Sequence, residues 1–183
     1  MRASTLAAAL VLAMASPLAV QAQEAAPAVA PAPAADPADV ASPEAIINAV
    51  YEVISGDAGV GRDWDRFRSL FHPTARLVPS GFNPAGNMVV RVWTPEEYVT
   101  RAGPVLERDG FHEREIASRT EQFGSMAHVF STYDSRRSAD DAEPFARGIN
   151  SFQLVYDGTR WWILSIYWTG ETEASPIPAE YLP

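Results

Sequence analysis

The chain has 183 residues, 47% of them hydrophobic, and a formal net charge of -9. That is enough for one ordinary domain with a core of its own. All 14 basic residues are arginines, and their dispersal in an acidic chain excludes nucleic-acid binding through bulk charge. The absence of cysteine excludes disulfides, thiolate chemistry and cysteine-bound zinc.

The chain opens with MRASTLAAALVLAMASPLAVQA. Arg2, an apolar stretch from Leu6 to Met14, Pro17 and the small residues Val20 and Ala22 read as an export signal cut after Ala22. An uncleaved anchor is the alternative, but the apolar run is short for a span of ~20 residues. The expected location is periplasmic or secreted, with no stable membrane span after cleavage. Residues 23–41 are mostly Ala, Pro and Asp and read as a disordered, partly extended linker. A folded domain is expected over 42–173, followed by a tail over 174–183.

Ser42 caps a first helix over Pro43–Ser55, whose stripe is Ile46, Ile47, Val50, Val53 and Ile54. Glycines at 56, 59 and 61 end it. A second helix, capped by Asp63, covers Trp64–Phe71 and stops before Pro73. Two strands follow, Ala75–Pro79 and Met88–Trp93. Thr94, Pro95 and Glu97 form a capping box that opens a third helix, expected to fade at Gly103 and Pro104. The remainder reads as strands: Phe111–Gln122 and Met126–Arg137 around a turn at Gly124, then Phe145–Tyr156 and Arg160–Thr169 around Asp157 and Gly158. The order α, α, β, β, α and four antiparallel strands predicts an α+β domain.

The stretches RDWDRFRSLFHPTARLV, AHVFSTYDSRR and RGINSFQLVYDGTRWWILSIYW resemble the nuclear transport factor 2-like superfamily, over about Pro43–Glu171. That group includes ketosteroid isomerases, scytalone dehydratase and polyketide-cyclase-like proteins. The resemblance implies a cystatin-like, cone-shaped α+β barrel in which three N-terminal helices pack on a curved antiparallel sheet. It implies an apolar pocket at the open end of the cone and, on the outer sheet face, a second copy. RWWILSIYW fits this, being apolar on both parities, and an uncovered patch of such residues marks an interface. The alternative cover is the tail, ASPIPAEYLP.

By that resemblance Trp168 points into the pocket, with Ile166, Leu164 and Trp162. Simple pairing then puts Arg147, Ile149, Ser151 and Gln153 on the same face, joined by Tyr133 and Ser131. The isomerases carry an acid on the penultimate strand and a base on an early one. Ser151 and Gln153 are not acids and Ala75–Pro79 has no carboxylate, so isomerase chemistry of that kind is not expected. DWDR at Asp63–Arg66 matches scytalone dehydratase, but Ser55, Gly56 and Asp57 replace its Tyr-Asp pair. Asp63 and Asp65 read as first-turn residues. His72, His112 and His128 lack a ligating partner set, so no metal and no cofactor is expected.

In Phe111–Ile116 the acids Glu113 and Glu115 share one face, and His112 and Arg114 the other. A desolvated Glu113 near Arg147 would be an acid, a base or a ligand anchor. Arg147 would hold a carboxylate or enolate, its bland role being an ion pair with Asp134 or Glu143. The expected pocket set is Tyr51, Trp64, Trp93, Glu113, Tyr133, Arg147, Ser151, Trp162 and Trp168. Two functions compete. One is an exported pocket protein that takes a small apolar or carboxylate-bearing molecule, either as a ligand binder or as an enzyme with acid-base activity of lyase or isomerase type. The other is a non-catalytic homodimerising module of the cell envelope.

Overall fold

A computed structural model describes residues 32–183. The expected export signal and residues 23–31 of the expected linker lie outside the described residues. Among the described residues no helix is long and apolar enough to cross a membrane.

Three helices form where capping groups precede apolar stripes. Helix α1, Pro43–Ile54, starts where Ser42 Oγ accepts from the Ala45 amide at 3.1 Å. Helix α2, Trp64–Leu70, starts where Asp63 accepts from Arg66 N at 2.9 Å. Helix α3, Pro95–Asp109, opens on a reciprocal box: Thr94 Oγ1 accepts from Glu97 N at 3.1 Å, and Glu97 accepts from Thr94 N at 2.8 Å.

Helix α3 does not fade at Pro104. Proline removes one backbone donor, but tertiary contacts hold the last turn. Leu106 is buried, and the Glu107 carboxylate accepts from Arg62 N at 3.1 Å and Trp64 Nε1 at 2.8 Å. Gly103 lets the Trp64 ring lie against the helix; a Cβ there would sit 3.0 Å from the ring.

The strands are β1 (Phe71–Phe82), β2 (Met88–Val90), β3 (His112–Phe123), β4 (Met126–Arg136), β5 (Ala146–Tyr156) and β6 (Trp161–Gly170). They make one sheet in the order β2-β1-β6-β5-β4-β3. The α+β class holds, with corrections. The sheet is open, not a closed barrel, with β2 and β3 at its edges. It is mixed: α2 feeds β1 into the sheet opposite Ile163, so β1 and β6 run parallel. Among the described residues the α-helices that precede the sheet are α1 and α2, since α3 lies between β2 and β3. Register shifts in β1, β3 and β5–β6 bend it around the helices.

The shift in β6 corrects the expected facing of its side chains. Trp161 and Ile163 point into the core before it, and Ile166 and Trp168 after it; Leu164 and Tyr167 are 36% and 47% exposed on the other side. No single parity describes the strand, which is why it reads as apolar on both. The inserted residue puts Asn150 opposite Trp168 and Phe152 opposite Ile166. The inner face of β5 is therefore Gly148, Asn150, Phe152 and Leu154, whereas Arg147, Ile149, Ser151 and Gln153 face outward.

Gly148 is required by packing. A Cβ there would overlap the Thr169 carbonyl oxygen and the Tyr133 hydroxyl. Gly148→Ala is expected to cost about 1–3 kcal/mol of unfolding free energy in chemical denaturation.

Part of the segment expected to be a disordered linker belongs to the fold. Asp36 caps a 3-10 turn over Pro37–Val40, Val40 is 4% exposed in the core, and Asp39 pairs with Arg66 at 2.8 Å. One apolar side chain and one acid suffice to dock a run whose composition carries no periodic signal.

Candidate functional site

The inner sheet face and the three helices line a half-open cavity of about 100 Å³. Its apolar walls are Val50 and Ile54 of α1, Phe67 of α2, Leu77 of β1, Phe152 of β5 and Ile166 of β6. Phe111, just before β3, and Trp168 complete the apolar lining. Four polar side chains face it: Tyr51, Tyr98, Glu113 and Asn150.

Alternation along β3 turns Glu113 inward, and the open end of the sheet leaves it there. Ser135 Oγ donates to one carboxylate oxygen at 2.8 Å, and Asn150 Nδ2 approaches the other at 3.4 Å. Burial pushes the carboxyl up to about 7; the Ser135 and Asn150 hydrogen bonds oppose this, and the charge of Asp134 adds to it. The carboxyl therefore changes charge near neutrality, where a proton donor or acceptor is most effective.

The polar chain continues behind it. Asn150 Nδ2 donates to Tyr51 Oη at 3.1 Å, Tyr51 Oη and Ser131 Oγ are 2.7 Å apart, and Ser131 Oγ donates to Glu115 at 2.6 Å. Burial first, and then the Glu113 charge, hold the Tyr51 phenol well above its usual range. Tyr98 is treated the same way: burial and then Glu113 push it up. Its ring stacks on Phe67 at 5.3 Å and meets Trp168 edge-on at 6.4 Å. Among the described residues its hydroxyl has no hydrogen-bond partner, so this group is free to meet a ligand.

A second, polar cleft of about 300 Å³ lies on the far side of Glu113. Glu52, Ser55, His112, Arg114, Asp134 and Arg136 line it, and it shares Tyr51 and Glu113 with the cavity. Glu113 thus lines both an apolar cavity and a cleft rimmed by charged side chains.

Of the nine residues expected in the pocket, Tyr51, Glu113 and Trp168 line the cavity. Trp64 packs edge-on against Phe67 at 5.6 Å and bonds Glu107. Trp93 bridges Leu77 through its backbone, with Arg101 5.9 Å from its ring. Tyr133 is buried on the inner face above Gly148, outside the cavity lining.

The other three sit on the outer face, because the inserted residue in β6 reverses the expected facing. Arg147 pairs with Glu171 at 2.8 Å, and so neither with Asp134 or Glu143 nor near Glu113. Ser151 Oγ is 3.0 Å from His128 Nε2. Trp162 lies under Arg160 at 3.6 Å and donates to Asp157 at 2.6 Å. Tyr98 and Asn150 were not foreseen. The apolar stripe of α3 through Tyr98, Ala102 and Leu106 carried a signal for the first; for the second, only the bulge decides its face. Among the described residues no group of three His, Asp or Glu side chains is placed to hold a metal ion.

No protein-family model matches the chain. No curated protein matches its sequence. Solved structures do match. A cystatin-like-fold protein from Nostoc punctiforme is 8% identical with a TM-score of 0.52, covering 70% of this chain and 87% of that one. An NTF-2 like protein from Silicibacter pomeroyi is 13% identical with a TM-score of 0.50, covering 72% and 94%. A Xanthomonas campestris protein, named as a candidate calcium/calmodulin dependent protein kinase II association domain, is 13% identical with a TM-score of 0.52, covering 71% and 86%.

Proposed function

We propose, for a chain that has the nuclear transport factor 2-like fold, that the cavity binds a compact apolar molecule bearing one oxygen function. Glu113 exchanges a proton with that molecule, in chemistry of lyase or isomerase type. The observation that carries this is the Glu113 carboxyl, poised near neutrality in an apolar chamber that also holds the unpartnered Tyr98 hydroxyl. A hydroxyl there would donate to a carbonyl oxygen while Glu113 takes or returns the proton beside it.

Size limits the ligand. Drug-sized ligands occupy pockets of roughly 300–1,000 Å³, so about 100 Å³ suits a single small ring. Charge limits it too. No arginine lines the cavity, and a carboxylate-bearing ligand would oppose Glu113, so the ligand is neutral.

The test is deuterium uptake from solvent into compact enolisable ketones, followed by NMR. Exchange by the unsubstituted protein should fall about 100-fold or more in Glu113→Gln and less in Tyr98→Phe. Ketones that neither exchange nor perturb cavity resonances would remove the reading; binding without exchange would leave a binder and remove the catalysis.

A specific observation favours homodimer formation through the outer sheet face as a second reading. Ile149, Ser151, Gln153, Val155, Leu164 and Tyr167 form an outward strip with no formal charge, in a chain with 20% charged residues. An association module would use such a strip, and a module of that kind is what the Xanthomonas protein is named for. The opening sequence further supports export to the periplasm or medium; a mature N-terminus at Gln23 in N-terminal sequencing is the expected result.

A further inference from the structure

The last ten residues lie on the sheet. A bridge between Thr172 and Ser175 turns the chain back, and Ile177 N donates to Glu171 Oε1 at 3.0 Å. Ile177 is 9% exposed. Further on, the Tyr181 carbonyl accepts from Thr132 Oγ1 at 2.7 Å, and its ring meets Phe130 edge-on at 5.0 Å. Arg119 lies 4.8 Å from the same ring and 3.3 Å from Glu180. The tail therefore crosses the outer faces of β3, β4 and β5.

Its footprint overlaps the uncharged strip. Pro176, Ile177 and Pro178 border, together with Phe130, Ile149 and Tyr167, a half-open groove of about 150 Å³, and the Tyr167 ring stays 47% exposed beside them. Along that groove the edge of the tail faces no protein atoms, so contacts are forgone there. The Arg119–Glu180 pair is exposed at both ends and adds little. Prolines at 176, 178 and 183 restrict the detached tail, so docking orders little that was free. The tail is held by the buried Ile177, the Tyr181 ring and three hydrogen bonds, the third from Arg119 Nη2 to the Glu180 carbonyl at 2.9 Å, a set that a partner burying more of the strip would outweigh.

We infer that this C-terminal segment is a displaceable cover, and that the occupant it excludes is a second copy of the chain. The inference rests on the pairing reading of the outer face. A two-fold pair presents each strip to itself, so an uncharged strip meets no like charge. The tail borders the groove beside Ile149 and Tyr167, so a partner seated on that strip meets the tail, and pairing tightens once the tail leaves.

The test compares dimer dissociation constants by sedimentation for three proteins: the mature chain, the chain ended at Glu173, and the full-length variant with both Arg119→Ala and Tyr181→Ala. The truncated chain is expected to pair at least 10-fold more tightly than the mature chain, with the double variant between them. A peptide spanning Ser175–Pro183 should return the truncated chain to monomer. Should the truncated form fail to fold, the double variant still decides. Equal constants overturn the cover: equal pairing leaves the interface standing without it, and the absence of pairing in every form removes the interface as well.

Discussion

Unfolding free energy is expected to fall by on the order of 3 kcal/mol as pH rises from 4.5 to 8 through Glu113 alone, and Glu113→Gln is expected to abolish that part of the slope. The sign follows from the direction of the shift. Burial raises the folded carboxyl from 4.5 to about 7. Between those values the folded chain holds a proton that the unfolded chain has released, so stability is full below 4.5, declines through the window and levels off above 7. Water reaching the carboxyl from the polar cleft reduces the size of the effect but not its sign. Glutamine mimics the protonated acid: it can accept from Ser135 and carries no charge. Guanidinium denaturation at stepped pH, with the variant subtracted, isolates this group from the three histidines. Equal slopes in the two proteins would mean that Glu113 ionises in water.

Arg62→Met is expected to cost about 3–4 kcal/mol, an unusually large loss for a loop residue. Arg62 is 9% exposed, and among the described residues its guanidinium makes no direct ion pair, Glu107 being bonded by its backbone amide and acting on the guanidinium through charge alone. It donates instead to the carbonyls of Ile54 at 3.0 Å, Gly56 at 2.6 Å and Leu106 at 3.2 Å, and to Val60. These include carbonyls at the ends of α1 and α3, which have no helical partners of their own. Methionine fills the volume and leaves them unpaired. Lysine recovers only part, since one ammonium cannot reach in four directions as a planar fork does. The effect extends to the cavity. Gly56 bridges Phe111 through paired backbone bonds of 2.7 and 3.0 Å, and both Ile54 and Phe111 line the chamber. Weaker binding of any cavity ligand should therefore accompany the stability loss. A cost below about 1 kcal/mol would show that water replaces the guanidinium without penalty.

The helices were legible because their signals are local. Ser42, Asp63 and the Thr94–Glu97 box act within one turn, and each cap forms as read. Glu113 was legible as an inward candidate because alternation over a few residues of β3 survives folding. What failed was non-local. The bulge in β6 lies opposite Gln153 and Leu154, and no pattern within Arg160–Thr169 announces it. One inserted residue moved Trp162 and Leu164 out, and simple pairing carried Arg147 and Ser151 with them. Asn150 took the inward place instead, and with it the contacts to Tyr51 and Glu113. Arg62 follows a glycine-rich loop without periodicity, and no local pattern marks it as buried. Helix α3 outlasted Pro104 because Trp64 and Arg62, which are distant in sequence, hold its last turn.

The most direct test is a carbon-13 NMR titration of the glutamate side-chain carboxyls, with Glu113 assigned by its disappearance in Glu113→Gln. The structure predicts a midpoint near 7, and an upward move when a neutral ligand fills the cavity and excludes its water. A midpoint between 4 and 5, unmoved by ligand, would place the carboxyl in ordinary solvent and contradict a proton-exchanging chamber.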